Sequence, residues 1–368
     1  MLTPFDDYPV HQTALPVAHA ATGDPNHYDR YWFNGYREDF YFGVAMAVYP
    51  NRGIIDGALA TVHDGVQRSV FVSGRLPADR GETRIGPLSI EIVEPLRTTR
   101  VRLDAADHGI EADVVFSART VALEEPRQTL TQGNRLVMDS TRLTQWGTWS
   151  GRIVTGGEAV ELDRDYGTKD RSWGVRPVGE PAGAAPDPVL PQIFFLWAPL
   201  NFDDRCTHFL CFERADGGRW VGSQVLLDVI GPSDPTWGVP GGVEHLAGAT
   251  HEVRWARGLR RSEGATLTLH RHDGRDERID LEPLLTFRMR GLGYSHPRWG
   301  HARWHGEEAV GSEEHRVEEL DNLEPWNIHV QQVMRARWGD RTGLGVLEQL
   351  AFGEHRPSGL TGFLDGAP

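Results

Sequence analysis

Hydrophobic residues recur along the chain in short runs, many of them alternating with polar residues, and turns containing Gly or Asp separate the runs. Short apolar runs between turn residues are typical of β-strands, and alternation places one face of a strand in a core. His63-Asp64-Gly65 is one such turn, because Asp-Gly tolerates the positive φ of tight hairpins. Long, capped helical patterns are missing, so the sequence predicts an all-β protein and not βαβ units. The predicted strands are 41–49, 54–62, 67–72, 88–93, 99–103, 110–118, 135–144, 151–162, 192–198, 207–212, 220–227, 250–256, 265–271, 277–281, 286–290, 330–337 and 345–352.

A proline-rich stretch at residues 181–191 divides the chain almost in half. Because prolines and small residues sustain neither a helix nor a strand, this stretch is predicted to be a linker. The chain has 368 residues, which is more than a single core usually supports. The predicted organisation is an N-terminal arm at residues 1–30, one β-barrel domain at 31–180 and a second at 192–368.

Composition and the N-terminal residues limit the partners and the location of the protein. The formal net charge is −14, whereas nucleic-acid-binding surfaces normally carry a basic stripe. No apolar run approaches the roughly 18 residues of a membrane-spanning helix. The first residues lack a basic region followed by an apolar core, so no secretory signal is predicted. Cys206 and Cys211 show neither a disulfide framework nor metal-ligand spacing, which predicts buried thiols in a reducing, cytoplasmic compartment.

Residues 163–177 form the densest cluster of charged and aromatic residues. They follow neither a helical period nor a two-residue alternation, so the sequence predicts neither an ordinary amphipathic helix nor an ordinary strand. Gly167 and Gly174 indicate turns or a close approach of the backbone. Carboxylates here could donate protons, arginines could position them, and aromatic faces could stabilise a positive charge. A structural plug of Asp–Arg pairs and a buried tryptophan at one barrel end is the alternative. The candidate site residues are Asp165, Tyr166, Asp170, Arg171, Trp173 and Arg176.

A second cluster of candidates lies at residues 291–305. On an extended strand His301, Arg303 and His305 would share one face. Two histidines on one face suit a metal, but no third ligand has clear spacing, so no metal is predicted. His296, which precedes a proline, could act as an acid or base or could bind substrate, and a structural histidine is the alternative. The candidates in this cluster are Tyr294, His296, Trp299 and His301.

The sequence also excludes several kinds of site. It contains no Gly-rich phosphate loop, no Gly-x-Ser-x-Gly elbow and no His-Glu-x-x-His helix. We therefore predict no nucleotide cofactor and, more generally, no cofactor. The 12 tryptophans predict broad apolar cavities for a hydrophobic ligand, and simple core filling is the alternative.

Three segments carry a resemblance to a known family. They are Tyr-Phe-Gly-Val and Tyr-Pro-Asn-Arg-Gly within 41–53, Asp-Tyr-Gly and Asp-Arg-Ser-Trp-Gly-Val-Arg within 165–176, and Gly-Leu-Gly-Tyr-Ser-His-Pro-Arg-Trp-Gly at 291–300. These segments resemble the AttH-like, hydroxyneurosporene synthase-like proteins, and the likeness runs from about Tyr31 to Gly353. The most specific motif is Asp-(Arg/His)-Ser-Trp-Gly-x-Arg, with Arg171 at the variable position. The resemblance implies two consecutive lipocalin-like antiparallel β-barrels with a hydrophobic substrate between them, bound without nucleotide or metal.

Residues and resemblance together predict a cofactor-independent enzyme that acts on a hydrophobic, unsaturated small molecule such as a terpenoid, steroid or polyketide. Relatives include carotenoid hydratases and pericyclic cyclases, so hydration, cyclisation and isomerisation are all open. In a hydration, Asp170 or Asp165 would protonate an alkene and Trp173 would stabilise the cation. His296 or Tyr294 would order the attacking water, and the other candidates would bind substrate.

Two other functions compete with the enzyme. One is a non-catalytic carrier or sensor of a lipid-like ligand, and the other is a purely structural protein with filled barrels and no pocket. An enclosed cavity beside a desolvated carboxylate favours the enzyme. The sequence leaves the oligomeric state open.

Overall fold

The structure is a computed structural model that describes residues 9–177, 192–238 and 242–368. Within these ranges the regular structure consists of β-strands and one-turn 3-10 segments, which confirms the predicted all-β class. The predicted linker at 181–191 lies outside the described residues. None of the helical segments in these ranges has the length or the apolar character needed to cross a bilayer.

Strand pairing forms two large antiparallel sheets in the described part of the chain. The strands of the first half are β1 (His27–Tyr36), β2 (Phe40–Tyr49), β3 (Ile54–His63), β4 (Val66–Arg75), β5 (Arg84–Ile85), β6 (Leu88–Glu94), β7 (Thr98–Ala105), β8 (Ile110–Ala118), β9 (Leu123–Glu124), β10 (Gln128–Gln132), β11 (Arg135–Thr155) and β12 (Glu158–Val175). Those of the second half are β13 (Ile193–Asn201), β14 (Arg205–Glu213), β15 (Arg219–Asp228), β16 (Val243–His245), β17 (Gly248–Trp255), β18 (Ser262–His270), β19 (Asp276–Arg288), β20 (Glu308–Arg316), β21 (Val330–Trp338) and β22 (Arg341–Phe352).

Each sheet curls around a core of its own, as in tandem lipocalin-like barrels. The first sheet has the order β20-β4-β3-β2-β1-β12-β11-β8-β7-β6-β5, with β9 and β10 paired to β11. The second has the order β16-β15-β14-β13-β22-β21-β19-β18-β17. Inside the first lie Phe33, Leu59, Val114, Phe116 and Trp149, and inside the second lie Leu196, Phe209, Leu267, Met334 and Leu347.

A third apolar core lies between the two sheets. Strand β2 shows why: Phe42, Val44 and Met46 point into the first barrel, yet Tyr41 and Ala45 on its opposite face are also buried. Both faces of β2 are covered because the outer face of the first sheet packs against the second sheet. Side chains from both sheets meet in this layer, among them Trp32, Tyr41, Phe71, Phe195, Trp197, Phe287, Val333 and Val346.

One strand from the second half joins the first sheet. Strand β20 pairs with β4 from Glu308↔Gly74 to Arg316↔Val66 and forms that edge of the sheet. Thus a segment within the range predicted for the second domain belongs to the first sheet. The hydrophobic pattern did not predict β20 because it is rich in polar and charged residues, as edge strands often are.

The structure corrects the expectation for residues 163–177. Most of this segment lies in the strand β12, and Gly167 and Gly174 sit inside that strand and not at turns. The alternative of close backbone approach holds for both, because a Cβ on Gly167 would lie 2.3 Å from the Asn34 carbonyl oxygen and one on Gly174 would lie 2.2 Å from the Asp139 carbonyl oxygen. The sequence lacks alternation there because β12 is covered on both faces, by the first barrel's core and by the second sheet. The prediction of a single strand at 151–162 was also wrong, because the turn at Gly156-Gly157 separates β11 from β12.

The segment 291–305 is not an extended strand either. A 3-10 turn covers Met289–Leu292, and turns follow up to residue 302, so His301, Arg303 and His305 do not share a strand face. Strand β1 was missed as well, because its first residues were assigned to the arm at 1–30. Residues 276–288 form one strand with a register shift, β19, in place of the two strands predicted at 277–281 and 286–290.

A row of glycines on three neighbouring strands receives the large rings of the first core. Gly35, Gly167 and Gly147 are consecutive cross-strand partners on β1, β12 and β11. A Cβ on Gly35 would lie 2.1 Å from the Phe42 ring, and one on Gly147 would lie 2.2 Å from the Phe116 ring. The glycines therefore let aromatic rings pack directly against the backbone.

Candidate functional site

One group of buried charges gathers where the first sheet faces the second. Strand register places Arg30 of β1 opposite Ser172 of β12, and Ser172 opposite Arg142 of β11. In the adjacent row Trp32 is the cross-strand partner of Asp170. Because side chains alternate along a strand, these five side chains share the outer face of the first sheet.

Asp170 is the central residue of this cluster. Its side chain is 4% exposed, and its Oδ2 lies 3.5 Å from Nε of Arg142. Its Oδ1 has no hydrogen-bond partner among the described residues. Burial raises the pKa of Asp170 to about 6, although the Arg142 and Arg30 cations partly offset that rise. The carboxyl group can therefore hold or release a proton near neutral pH.

A second buried carboxylate, Glu125, has the opposite electrostatic character. Its side chain is 0% exposed and accepts hydrogen bonds from Arg142 Nε at 2.7 Å and Thr144 Oγ1 at 2.7 Å. Nε2 of the buried His208 lies 3.0 Å from the same carboxylate. Burial alone would raise the pKa of Glu125, but Arg142 and His208 outweigh it and hold that pKa far below its ordinary value. Glu125 is thus a permanent anion that orients Arg142.

Aromatic rings of the second sheet cover these charges. The Arg142 guanidinium lies 5.8 Å from the Phe195 ring and 5.6 Å from the Trp197 ring. Phe195 contacts Phe212 at 4.6 Å between ring centroids, and Phe212 contacts Trp220 at 4.8 Å. Since Phe212 and Trp220 are partly exposed, these contacting rings form a continuous apolar row from the surface to the buried charges.

The second sheet contributes a polar network of its own. Glu348 accepts a hydrogen bond from Gln331 Nε2 at 2.6 Å, and its other oxygen lies 2.6 Å from His329 Nε2. The Gln331 carbonyl oxygen accepts from Tyr41 Oη at 2.8 Å and from Asn34 Nδ2 at 3.1 Å, so the network links the two sheets. Burial opposes ionisation of Glu348, but the bond from His329 prevails and lowers its pKa.

A small cavity with both apolar and polar lining residues borders the same cluster on the side of Arg30. Its volume is about 20 Å³, which is room for roughly one water molecule, and Arg30, Tyr49, Asp56 and His301 are among its lining residues. Tyr49 Oη and Arg30 Nε have no hydrogen-bond partner in the described part of the chain. Burial raises the pKa of Asp56 to about 7, even though its Oδ2 accepts a hydrogen bond from the Ala302 amide at 2.6 Å. The site thus has two protonatable carboxyl groups, with Arg30 between them.

The other candidates on β12 lie away from Asp170. Asp165 is five residues along the strand, about 17 Å away, and its Oδ2 lies 3.6 Å from an Arg37 nitrogen. Trp173 is 39% exposed and points to the opposite face of β12, so its ring does not lie beside Asp170. Tyr166 donates a hydrogen bond to Asp203 at 3.1 Å near the far end of the interface.

The two arginine candidates of this segment pack on tyrosines. Arg171 lies 3.8 Å from the centre of the Tyr31 ring and pairs with Asp29 at 2.8 Å, on the face opposite Asp170. Arg176 lies 4.6 Å from the Tyr28 ring, and its Nη2 is 3.4 Å from Nδ1 of His301. Arg176 therefore contacts His301, one of the residues that line the cavity, and Arg171 does not.

In the second cluster, His296 and His301 have different surroundings. Nδ1 of His296 accepts hydrogen bonds from the Arg298 and Trp299 amides at 3.0 and 2.8 Å, and its Nε2 lies 2.9 Å from Glu313. Both ring nitrogens of His296 have partners that hold the turn in place. These contacts are those of a structural histidine, the alternative considered from the sequence. Burial and the Arg176 cation lower the pKa of His301 well below its ordinary value, so this neutral ring lines the cavity.

Tyr294 and Trp299 complete the predicted set. Tyr294 Oη accepts a hydrogen bond from Arg30, and its ring contacts His301 and His329 edge-on at 4.6 and 4.9 Å. It therefore joins the polar networks of the two sheets. Trp299 stacks on Phe71 at 5.7 Å and lines the cavity.

The sequence did not predict most charges of this site, namely the buried Arg30, Asp56, Glu125, His208, His329 and Glu348 and the largely buried Arg142. They come from separate segments of the chain without a shared local motif. A charged residue at a core position of a strand pattern, such as Asp56 within Ile54-Ile-Asp-Gly-Ala-Leu, is the one signal that could have found some of them.

Two side-chain clusters in the described ranges have donor atoms spaced to hold a metal ion. They are Cys211, Glu213 and His251, and His63, Asp64 and Glu158. Neither includes His301 or His305, the pair considered from the sequence. In the first cluster, Cys211 lies close to two other possible metal ligands. Both cysteines are buried and free, as the sequence predicted.

Comparisons with known proteins agree with the fold. No protein of curated function matches the chain by sequence. A crystal structure of a protein provisionally called AttH (NE1406) from Nitrosomonas europaea aligns with a TM-score of 0.55 and 12% identity, covering 88% of this chain and 92% of that one. This likeness confirms the AttH-like fold predicted from the sequence. CghA, crystallised with Sch210972, aligns at a TM-score of 0.45 and 10% identity over 89% of each chain.

The likeness to NE1406 concerns the fold alone, because the identity is low. A family of proteins matches nearly the whole chain by sequence, from residue 2 to residue 361. The chain therefore belongs to DUF8625, a family of unknown function.

Proposed function

We propose that this protein is a cofactor-independent enzyme that binds a hydrophobic, unsaturated small molecule between its two barrels and transfers a proton to it. The supporting observation is Asp170, a buried carboxyl group with one free oxygen and a pKa raised to about 6. Perturbed carboxyl groups of this kind are common at catalytic sites. The resemblance of the segments 165–176 and 291–300 to carotenoid hydratase relatives supports the same choice.

Asp170 acts as the general acid in this proposal. A carboxyl group with a pKa near 6 is protonated in a useful fraction at neutral pH and is still acidic enough to donate. Protonation of an alkene leaves a carbocation, which the rings of Trp32 and Trp197 would stabilise through their π-faces. Trp32 is the cross-strand partner of Asp170, and Trp197 contacts Trp32 at 5.8 Å. These two take the role that the sequence suggested for Trp173.

The fate of the cation decides the reaction. Attack by a water would give hydration, attack by a second double bond would give cyclisation, and loss of a neighbouring proton would give isomerisation. The cavity beside Arg30 has room for about one water, and two polar atoms among its lining residues, Tyr49 Oη and Arg30 Nε, have no other hydrogen-bond partner among the described residues and could orient that water. Among the three reactions, hydration is the one that this cavity favours.

A carrier of a lipid-like ligand is the competing function. The apolar row of Phe195, Phe212 and Trp220 would suit a carrier's hydrophobic ligand equally well. A carrier, however, has no use for buried charges, which cost folding free energy. Asp170, Glu125 and Arg142 in one apolar layer therefore favour the enzyme.

The test starts with small molecules from the native host. The wild-type protein and the Asp170→Asn variant are purified from the host, and bound molecules are identified by native mass spectrometry and chromatography. Each protein is then incubated in heavy water with a hydrophobic extract of the host. Asp163→Asn is the matched control, because Asp163 lies on the same strand but is exposed.

The proposal expects a new product that carries carbon-bound deuterium with wild type and with Asp163→Asn, but not with Asp170→Asn. A mass gain of one heavy water identifies hydration, whereas cyclisation or isomerisation changes retention and adds at most exchanged deuterium. A ligand that is bound but never altered by the wild type supports the carrier. Turnover by Asp170→Asn at the wild-type rate would refute the role of Asp170.

A further inference from the structure

A cluster of metal-ligating side chains lies inside the second barrel, apart from the site between the barrels. Cys211 and Glu213 follow Phe209 on β14 at two-residue intervals, so they share its inward face. His251 lies between Ala249 and Val253 of β17, two residues that also pack on the second core. Two separate strands thus direct a thiol, a carboxylate and an imidazole toward one point.

The spacing of these groups suits one metal ion. Donor atoms of Cys211, Glu213 and His251 all lie within 4.8 Å of one another, and His251 Nε2 is 3.1 Å from Glu213 Oε1. Zn²⁺ bonds of about 2.0–2.3 Å place tetrahedral ligands about 3.3–3.8 Å apart. Small side-chain rotations therefore convert the present contacts into a coordination sphere.

Neighbouring groups hold the carboxylate in position from outside. Arg219 Nη2 lies 3.1 Å from Glu213 Oε1, and His355 Nε2 lies 3.2 Å from Oε2. The other nitrogen of His355 lies 2.8 Å from Ser358 Oγ, which fixes the ring. Metal-binding carboxylates are usually supported in this way, and such partners tune the affinity.

We propose that Cys211, Glu213 and His251 form a binding site for Zn²⁺ or a divalent ion of similar preference. A thiolate with an imidazole selects a borderline-soft ion over Mg²⁺ or Ca²⁺, which prefer all-oxygen ligands. Three protein ligands leave a fourth position, which a water fills, while His355 supports Glu213 from outside. The buried thiol loses its proton to solvent as the metal–sulfur bond forms.

The expected consequence is structural. His355 belongs to the C-terminal segment, and Arg260 holds the same segment by donating hydrogen bonds to the carbonyl oxygens of Gly353, Thr361 and Asp365. An ion bound to Glu213 would link β14 to β17, and the contact of His355 with Glu213 would connect the C-terminal segment to that site. Metal binding should therefore raise the melting temperature of the whole protein.

The test titrates Co²⁺ and Zn²⁺ into protein that has been dialysed against a chelator. Co²⁺ bound to a thiolate gives a sulfur-to-metal charge-transfer band, so its absorption reports Cys211 directly. Calorimetry with Zn²⁺ gives the stoichiometry and affinity. The variants are His251→Ala, Cys211→Ser and His355→Ala, and the matched control is His63→Ala from the exposed cluster of His63, Asp64 and Glu158.

We expect one ion per chain with a charge-transfer band in the wild type and in His63→Ala. The band disappears in Cys211→Ser, binding is lost in His251→Ala, and His355→Ala binds about 10–100-fold more weakly. The proposal is overturned if the wild-type protein shows no charge-transfer band with Co²⁺. It is also overturned if His63→Ala loses metal binding and His251→Ala keeps it. Because the wild-type band alone can refute it, the test remains decisive even if a variant fails to fold.

Discussion

The Arg142 guanidinium lies 3.5 Å from Asp170 Oδ2, yet its short hydrogen bond, at 2.7 Å, goes to the other buried carboxylate, that of Glu125. The side chains of Glu125 and Asp170 are 0% and 4% exposed, so burial affects both alike. Pairing, and not burial, therefore drives their pKa values apart, down for Glu125 and up to about 6 for Asp170. Two carboxyl groups whose surroundings separate their pKa values are the usual basis of an acid role for one of them.

The first prediction concerns the pH dependence of turnover. If Asp170 donates the proton, activity should decline as the pH rises through about 6, because the carboxyl group then ionises. Product formation measured between about pH 5 and about pH 8 gives the profile. The variant Glu125→Gln removes a negative charge that raises the pKa of Asp170, so its profile should move to lower pH. A profile that is flat across this range would contradict the assignment.

The second prediction compares two ion pairs of similar length. Glu125→Ala should lower the free energy of unfolding by about 3–5 kcal/mol, because it leaves the buried Arg142 cation without its main partner. The pair Arg100–Asp113 has a distance of 2.6 Å but is 34% and 51% exposed, so Asp113→Ala should cost about 0–1 kcal/mol. Urea unfolding of both variants makes the comparison. Equal losses of unfolding free energy in the two variants would mean that burial does not determine how much these ion pairs stabilise the protein.

The sequence alone was sufficient to predict strands that have one polar face or that end at clear turns. Strand β8 was predicted with its observed bounds, and the turn at His63-Asp64-Gly65 joins β3 to β4 as expected. The patterns failed for β12 and β20 for opposite physical reasons. Strand β12 is covered on both sides and carries buried polar residues, while β20 is an exposed edge strand with little apolar content.

The site was harder to predict than the fold. Asp170 was predicted as a candidate because it lies in a dense local motif, and Tyr294 and His301 because they lie in another. Glu125, Arg142 and Glu348 were not predicted, since they lie on the segment after β9, on β11 and on β22, and only the pairing of distant segments brings them together. Register depends on contacts between distant segments, which no local pattern in one sequence contains.

The third prediction concerns the glycine row in the first barrel. A Cβ at Gly147 would lie 2.2 Å from the Phe116 ring and 2.6 Å from the Ser117 carbonyl oxygen. Gly147→Ala should therefore destabilise the protein by about 1–3 kcal/mol through overpacking. Gly23→Ala is the control, because a Cβ there meets nothing within 4 Å. A midpoint of urea unfolding that is equal for the two variants would show that the core can move to accept the methyl group.

The fourth prediction concerns Lys169, which points from β12 into the first barrel and is 2% exposed. Its ammonium group lies 3.4 Å from Thr99 Oγ1. Burial, aided by the Arg171 cation, lowers the pKa of Lys169 from 10.5 to about 8. That shift corresponds to roughly 3 kcal/mol of folding free energy that the charged form costs at neutral pH.

The sign of the pH effect follows from proton binding. Between about pH 8 and pH 10.5 the unfolded chain keeps the proton of Lys169 while the folded chain has lost it, so stability rises with pH in this window. Lys169→Met removes the group and should raise the free energy of unfolding at pH 7 by up to roughly 3 kcal/mol. The variant should also lack the rise above pH 8 that the wild type shows. Urea unfolding of both proteins at several pH values tests this prediction. If Lys169→Met is less stable than wild type at pH 7, the Lys169 amine makes a net favourable contact and the prediction is wrong.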